Sequence, residues 1–458
     1  MPIEVDYQET LDYLYSFVDY SLTRNLRYSP EQFNLGRMTA LMADLGNPHQ
    51  QYPVVHVAGT KGKGSTAAMI ASVLQAAGYK VGFYTSPHLE DFTERIQINR
   101  LPISHGDLVS MVAQLKPSVA RIERLTTFEL TTAAGFLYFA REKVDIAVIE
   151  VGLGGRLDST NIVDPLVSVI TSLSMDHMNV LGDTLEKIAF EKAGIIKPGK
   201  PVVVSPQKVE ALKVLEDVAV TRGAELFQVG KEVKFTLLQH SLEGQTIHAR
   251  AVLGVYNFEM DFRIPLLGFH QVENATTAFG TLAILQKFGW KISDEAVHKG
   301  FETVSWPGRF EVLQHNPLIV VDSAHNRDSA EKLRRAVDDY FPNARVIMIF
   351  GASEDKDIAG MFAELLPRVE RLITTQSVHP RAYDAEKLRS LASSYPIKVE
   401  AILPVEKAVE RAQELAKENQ IILATGSLFI VGGVKHTLEH RDVPPPRNSS
   451  EYKREAVK

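Results

Sequence analysis

Residues 52–78 read YPVVHVAGTKGKGSTAAMIASVLQAAG, and the reading of this stretch decides the fold. Its first seven residues form a β-branched apolar run, and residues 67–77 are a strong helix-forming run closed by Gly78 as a C-terminal cap. Between them lies Gly59-Thr60-Lys61-Gly62-Lys63-Gly64-Ser65. Three glycines let a backbone curl until several N–H groups point at one centre, and the helix start adds positive partial charge. Lys63 offers a full charge for β- and γ-phosphates, and Ser65 a hydroxyl for phosphate or its cation. The extra Gly64 between Lys63 and Ser65 departs from the common GxxxxGK[ST] spelling. A glycine turn that binds nothing is the plain alternative, and the strand–loop–helix setting favours a nucleotide loop.

Working outward, apolar runs at 80–85, 144–151, 166–171 and 201–205 alternate with helical patterns, which indicates βαβ units and a mainly parallel sheet. Residues 226–266 change to strand-like alternation with turn signals near Glu243-Gly244 and Gly254, as expected of a small antiparallel addition. Helices are expected over 273–288 and 294–302. Ser305-Trp306-Pro307-Gly308-Arg309 interrupts both periodicities, after which βα alternation restarts with strands at 318–322, 345–351, 372–375 and 421–425. The expected class is therefore α/β. An N-terminal P-loop domain (1–304) has a mainly parallel sheet with a small antiparallel addition. A hinge (305–310), a smaller Rossmann-like C-terminal domain (311–440) and a charged, Pro-rich disordered tail (441–458) follow.

The chain has 458 residues, enough for about two to four domains. With 45% apolar and 23% charged residues it has the make-up of an ordinary globular protein. Its formal net charge of −6 argues against a general nucleic-acid binder. The absence of cysteine excludes disulfides, thiolate catalysis and zinc–thiolate sites. The start, MPIEVDYQETLDYLYSF, is acidic where a signal peptide is basic, and no run reaches the ~18 apolar residues of a membrane span. A cytoplasmic protein acting as a monomer, without nucleic-acid or membrane partners, is expected.

Nucleotide chemistry needs a divalent cation on hard ligands. Glu150 ends a strand at the carboxyl edge, where ligands of open α/β sheets gather, and Val151-Gly152-Leu153-Gly154-Gly155-Arg156-Leu157-Asp158 follows it. Met175-Asp176-His177 follows another strand. By itself that histidine reads as structural, since magnesium prefers oxygen. By spacing alone Lys192 is an ordinary solvated helix lysine.

Taken in order, these blocks carry a resemblance. Leu35-Gly36-Arg37-Met38, Leu45-Gly46-Asn47-Pro48, the 56–65 loop, Thr85-Ser86-Pro87-His88-Leu89 with Glu94-Arg95, and the 148–161 block resemble folylpolyglutamate synthase/dihydrofolate synthase of the Mur ligase superfamily. Asp176-His177, Glu191-Lys192-Ala193-Gly194, His270-Gln271, Asn274-Ala275, Trp306-Pro307-Gly308-Arg309 and Ala324-His325-Asn326 continue the series.

The resemblance implies an ATP-dependent ligase that adds L-glutamate to a reduced folate through an acyl phosphate, with dihydropteroate as the further acceptor of a bifunctional member. It places Gly59–Ser65, Asn274, Arg309 and Asp322 on ATP, with Lys63 on its phosphates. Arg309 would then bridge the domains. Two Mg²⁺ sites are implied, one on Ser86 and Glu150, the other including His177. Lys192 matches a lysine that the family carbamylates with CO₂ into an oxygen ligand. Lys63, Lys192, His177 and Glu150 are thus the expected catalytic residues. Arg95, His325 and Ser427 fall where the family binds glutamate, and the pterin would lie near Ser86–Leu89, with His88, and around residues 127–129, with Glu129. Two departures stand out: Ser323 replaces the family's usual glycine, and Asn99-Arg100 replaces Asn-Gly. A cell-wall muramyl-peptide ligase of the same superfamily is the nearest rival, although the roughly 58 residues before the loop leave little room for its nucleotide-sugar domain. A nucleotide-binding protein without ligase activity is the rival from another class.

Overall fold

The computed structural model describes residues 2–18 and 34–439, so the tail reading at 441–458 lies outside the described residues. The chain divides into two compact units. Of the described residues, the first comprises those within 1–88, 92–265 and 270–305, and the second those within 89–91, 266–269 and 306–439.

In the first unit, eight strands lie in the order Leu101–Pro102, Ile96–Ile98, Val81–Tyr84, Ile146–Glu150, Val54–Ala58, Val167–Ile170, Val202–Val204, Leu226–Gln228. All pairings are parallel except those of the first two strands, at one edge. The central strand Val54–Ala58 is buried at every residue, as is Ile146–Glu150. Strands buried on both faces read as continuous apolar runs rather than alternation. Helix Lys63–Ala76 is buried from Ser65 to Leu74, so it too lacks a polar stripe. Helix Asp294–Glu302 closes onto it through Gly300, where a Cβ would stand 2.3 Å from the Val73 Cα.

The 226–266 region divides differently from the sequence reading. Leu226–Gln228 joins the large sheet beside Val202–Val204, because its backbone groups complete that parallel ladder. Only Val233–Ser241, Gly244–Leu253 and Tyr256–Ile264 form the antiparallel addition. The Asn99-Arg100 departure keeps a tight turn between Ile96–Ile98 and Leu101–Pro102. Both residues sit at positive φ (49° and 65°), the backbone that a two-residue hairpin turn demands and for which glycine is the usual second residue. Arg100 adopts it with its guanidinium over the Phe83 ring at 4.8 Å.

In the second unit, six strands run in the order Glu311–His315, Leu318–Val321, Gln420–Thr425, Arg345–Phe350, Val369–Thr374, Lys398–Ala401. The first pair is antiparallel and the rest parallel. Apolar clusters cover both faces of this sheet, one around Leu333, Met348 and Phe362, the other around Ile347, Val409 and Val434. In each unit the parallel strands end on a common edge, where the loops of interest gather.

Candidate active site

The loop after Val54–Ala58 takes its shape from missing side chains. Gly59 sits at φ 154° and Gly62 at φ 87°. A Cβ on Gly59 would lie 1.8 Å from Thr171 Oγ1, and one on Gly62 2.2 Å from Asn274 Oδ1. Asn274 is thereby brought against the loop from helix Phe269–Lys287. The amides of Thr60 and Lys61 both donate to the Ser172 carbonyl at 3.0 Å, so they hold the loop to its neighbour rather than face outward. Gly62 caps helix Lys63–Ala76 without a side chain, and the first N–H groups, from Lys63, Gly64 and Ser65, have no acceptor within the helix. These are the amides placed to receive an anion.

Charged groups crowd the same edge. Lys63 Nζ lies 3.9 Å from Glu150 Oε1. Glu150 is buried, and its Oε2 accepts from the Thr85 hydroxyl and, at 3.4 Å, from the Ser86 amide. Lys61 pairs with Asp176 at 2.9 Å. His177, at φ 50°, caps the short helix Met178–Leu181, with Nε2 4.0 Å from Asp176 Oδ1 and its ring exposed. Lys192, only 4% exposed, comes up from helix Leu185–Ala193 and donates from Nζ to the Gly59 carbonyl at 2.8 Å. Burial, with Lys63 and Lys61 nearby, pushes its ammonium down to about 7.

Farther along the edge, Arg95 Nε donates to His88 Nδ1 at 2.9 Å and the guanidinium lies over Phe92. His88 therefore carries its proton on Nε2, and burial, aided by Arg95, keeps it neutral. Glu129 is committed within the protein: one oxygen accepts from the Thr126 amide at 2.8 Å in a capping box, the other from Arg37 Nε at 3.1 Å. Its neighbour Phe128, which the sequence reading did not single out, stands against Gly152, where a Cβ would meet the ring at 2.4 Å.

The second unit gathers Arg309, Asp322, His325 and Ser427 at its own sheet edge. Asp322, after strand Leu318–Val321, accepts from the amides of Phe310 and Ala324, each at 2.8 Å. Arg309 Nη1 donates to Gly308 O and to Ser323 Oγ. His325 Nδ1 donates to Ser323 O at 2.9 Å. Ser427 Oγ accepts from the Ile430 amide at the start of helix Leu428–Glu439. Ser323 stays out of the left-handed region, so its backbone does not require the glycine expected there.

Among the described residues no cluster of three or more His, Asp or Glu side chains is placed to hold a metal alone. The oxygen donors at Glu150 are hard: one buried carboxylate and the Thr85 hydroxyl that donates to it, with Ser86 next in the chain and its amide on the same carboxylate. That suits Mg²⁺, which takes one or two carboxylates and fills its shell with phosphate oxygens and water. Thr85 went unnoticed in the sequence, although it opens the same Thr85–Leu89 motif. The Lys61–Asp176 pair has no local sequence signal at all.

Residues 57–282 match the Mur ligase middle domain, and residues 308–428 the Mur ligase glutamate ligase domain. The chain is 39% identical, over 88% of its length and 95% of the relative's, to a dihydrofolate synthase/folylpolyglutamate synthase of Bacillus subtilis. A Mycobacterium tuberculosis folylpolyglutamate synthase complexed with ADP superposes with a TM-score of 0.85 at 31% identity, covering 96% of this chain and 100% of that one. An Escherichia coli structure in complex with DHPP and ADP gives 0.83 at 32% identity, covering 95% and 98%.

Proposed function

The chain belongs to the folylpolyglutamate synthase/dihydrofolate synthase family of Mur ligases, and from that premise we propose that it joins L-glutamate to a reduced folate at the expense of ATP. One observation carries the reading: a glycine loop at a helix start, Lys63, Glu150 and the buried Lys192 share one sheet edge.

The chemistry follows from these groups. A carboxylate is a poor electrophile because its leaving group would be oxide. Transfer of the ATP γ-phosphoryl to the folate carboxylate gives an acyl phosphate and ADP. The glutamate amine then displaces phosphate and forms the amide. The amides of residues 63–65 and the Lys63 ammonium offset the charge that accumulates as two anions meet. Arg95, oriented by His88, and His325 and Ser427 are assigned to glutamate, while Asn274, Arg309 and Asp322 are assigned to the nucleotide. Phe128 and the Thr85–His88 loop supply an aromatic wall and polar edge for the pterin.

Glu150 and Ser86 would hold one Mg²⁺, and His177 with a carbamylated Lys192 a second; bound there, the ions would supply further neutralisation of phosphate charge. The neutral Lys192 amine available near pH 7 adds to CO₂, releases a proton and leaves an anionic carbamate, turning a donor into an oxygen ligand. The paired names of the relatives support dihydropteroate as a second acceptor at the same site, since both acceptors share a pterin and end in a carboxylate.

The test offers the purified protein ATP and glutamate with dihydropteroate in one reaction and tetrahydrofolate in another. ADP release and a product heavier by one glutamyl residue are expected in both, and neither without glutamate. Folate-independent turnover with a muramyl-peptide acceptor would overturn the reading.

A further inference from the structure

We infer that Ser323 is a positioning residue whose hydroxyl holds the Arg309 guanidinium ready for the nucleotide. The inference rests on the assignment of Arg309 to ATP given above.

The backbone on both sides of Arg309 follows an uncommon path. Gly308 lies at φ 75° and Phe310 at φ 44°, so the arginine stands between two left-handed residues. That path is tied down on several sides. The Gly308 amide donates to Glu311 Oε2 at 2.6 Å, and Glu311 Oε1 accepts from the buried Lys435 ammonium at 2.8 Å. The Phe310 amide donates to Asp322 at 2.8 Å, and the Ser323 amide to Gly308 O at 3.0 Å. The main chain that presents Arg309 is therefore held whatever the side chain at position 323.

The Arg309 side chain is another matter, because a long arginine side chain carries rotamer entropy that must be overcome before it binds in one pose. Ser323, 6% exposed, meets this need. Its hydroxyl hydrogen goes to Gly308 O at 2.7 Å, which turns an oxygen lone pair toward Arg309 Nη1. Nη1 also reaches Gly308 O at 3.1 Å, so one nitrogen of the fork is held at two points. Carbonyl, hydroxyl and guanidinium thus form a closed triangle that fixes where the fork points.

The Ser323 carbonyl has a separate task, since it accepts from His325 Nδ1. Replacing serine by alanine removes the hydroxyl and leaves that carbonyl, the Ser323 amide and the loop path in place. Ser323→Ala should therefore split the kinetics. The guanidinium keeps its bond to Gly308 O and loses only its hydroxyl partner, so the effect on binding is partial and KM for ATP is expected to rise roughly three- to tenfold. KM for glutamate and kcat should stay within about twofold, and the melting midpoint should hardly move.

The decisive experiment combines Ser323→Ala with Arg309→Ala and measures KM for ATP in all four proteins. The expected result is that Ser323→Ala raises KM in the wild-type background and adds nothing once Arg309 is gone. An unchanged KM in Ser323→Ala, or an equal rise in both backgrounds, overturns the inference. If Arg309→Ala alone leaves KM for ATP unchanged, the assignment of Arg309 to the nucleotide fails, and the inference with it. A fall in thermal stability with both KM values rising together would make Ser323 a purely structural residue, which also overturns it.

Discussion

Each unit sets a strand-to-helix loop at the carboxyl edge of a parallel sheet, and the two loops are shaped in opposite ways. Residues 59–65 rely on absent side chains, with Gly59 and Gly62 filling space that a Cβ would deny them. Residues 322–326 contain no glycine and rely on their own polar side chains. Asp322 accepts from two amides, the Ser323 hydroxyl donates to a carbonyl and accepts from a guanidinium, and Asn326 forms a capping box with Ser329. The difference has a chemical meaning. A loop that offers backbone N–H groups to phosphate must keep those groups unspent and its side chains out of the way. A loop that presents side chains can spend its backbone N–H groups on itself. The first loop in turn depends on distant supports: Lys192 on the Gly59 carbonyl, Ser172 on the Thr60 and Lys61 amides, and Asn274 against Gly62.

The comparison can be broken most forcefully at its outside support. Lys192→Ala should lower the rate of amide formation by about a thousandfold, with nucleotide affinity changed less than about tenfold. Near-normal turnover would remove Lys192 from the mechanism. Gly59→Ala puts a methyl group into the buried Thr171, and the displaced loop should cost about a hundredfold in kcat/KM, with a smaller loss of stability of about 1–2 kcal/mol in urea unfolding. An equally large loss of stability there would make the glycine a folding residue and erase the contrast.

In the second unit the effect should fall on stability instead. Asp322→Ala leaves two buried amides without their acceptor, which should cost about 3 kcal/mol in urea unfolding. A variant as stable as the parent would show that other groups hold that loop. The last effect concerns the strand that feeds the glycine loop. Burial, with Lys197 nearby, pushes the His56 imidazole down from 6.5 to about 3, so between those values the unfolded chain binds a proton that the folded chain does not. Stability should therefore fall as pH drops through that window, with a slope from this group approaching about 1.4 kcal/mol per pH unit. His56→Gln should flatten that part of the profile, and an unchanged slope would assign the acid sensitivity elsewhere.

Much of this site is legible in the chain itself. Gly59–Ser65 announces its strand, loop and helix because left-handed backbone, helix capping and apolar periodicity depend on neighbours in sequence. Glu150 is placed by the same logic, at the end of an apolar run. Lys192 and Glu129 are not. By spacing Lys192 is an ordinary helix lysine, and only its burial beneath the glycine loop changes its chemistry. Glu129 reads as a substrate residue by resemblance, and only the fold adds that its oxygens accept from the Thr126 amide and from Arg37 Nε, a residue distant in the chain.

The sequence by itself determined the α/β class, the strand–glycine loop–helix unit and the family, because each is written in residue types at short, fixed spacings. The tertiary structure alone decided that Leu226–Gln228 completes the large sheet, that Lys61 pairs with Asp176, and that Ser323 holds Arg309. These are contacts between segments distant in the chain. They follow from the order in which strands pair, and from which polar groups lose water and must find partners when the strands come together.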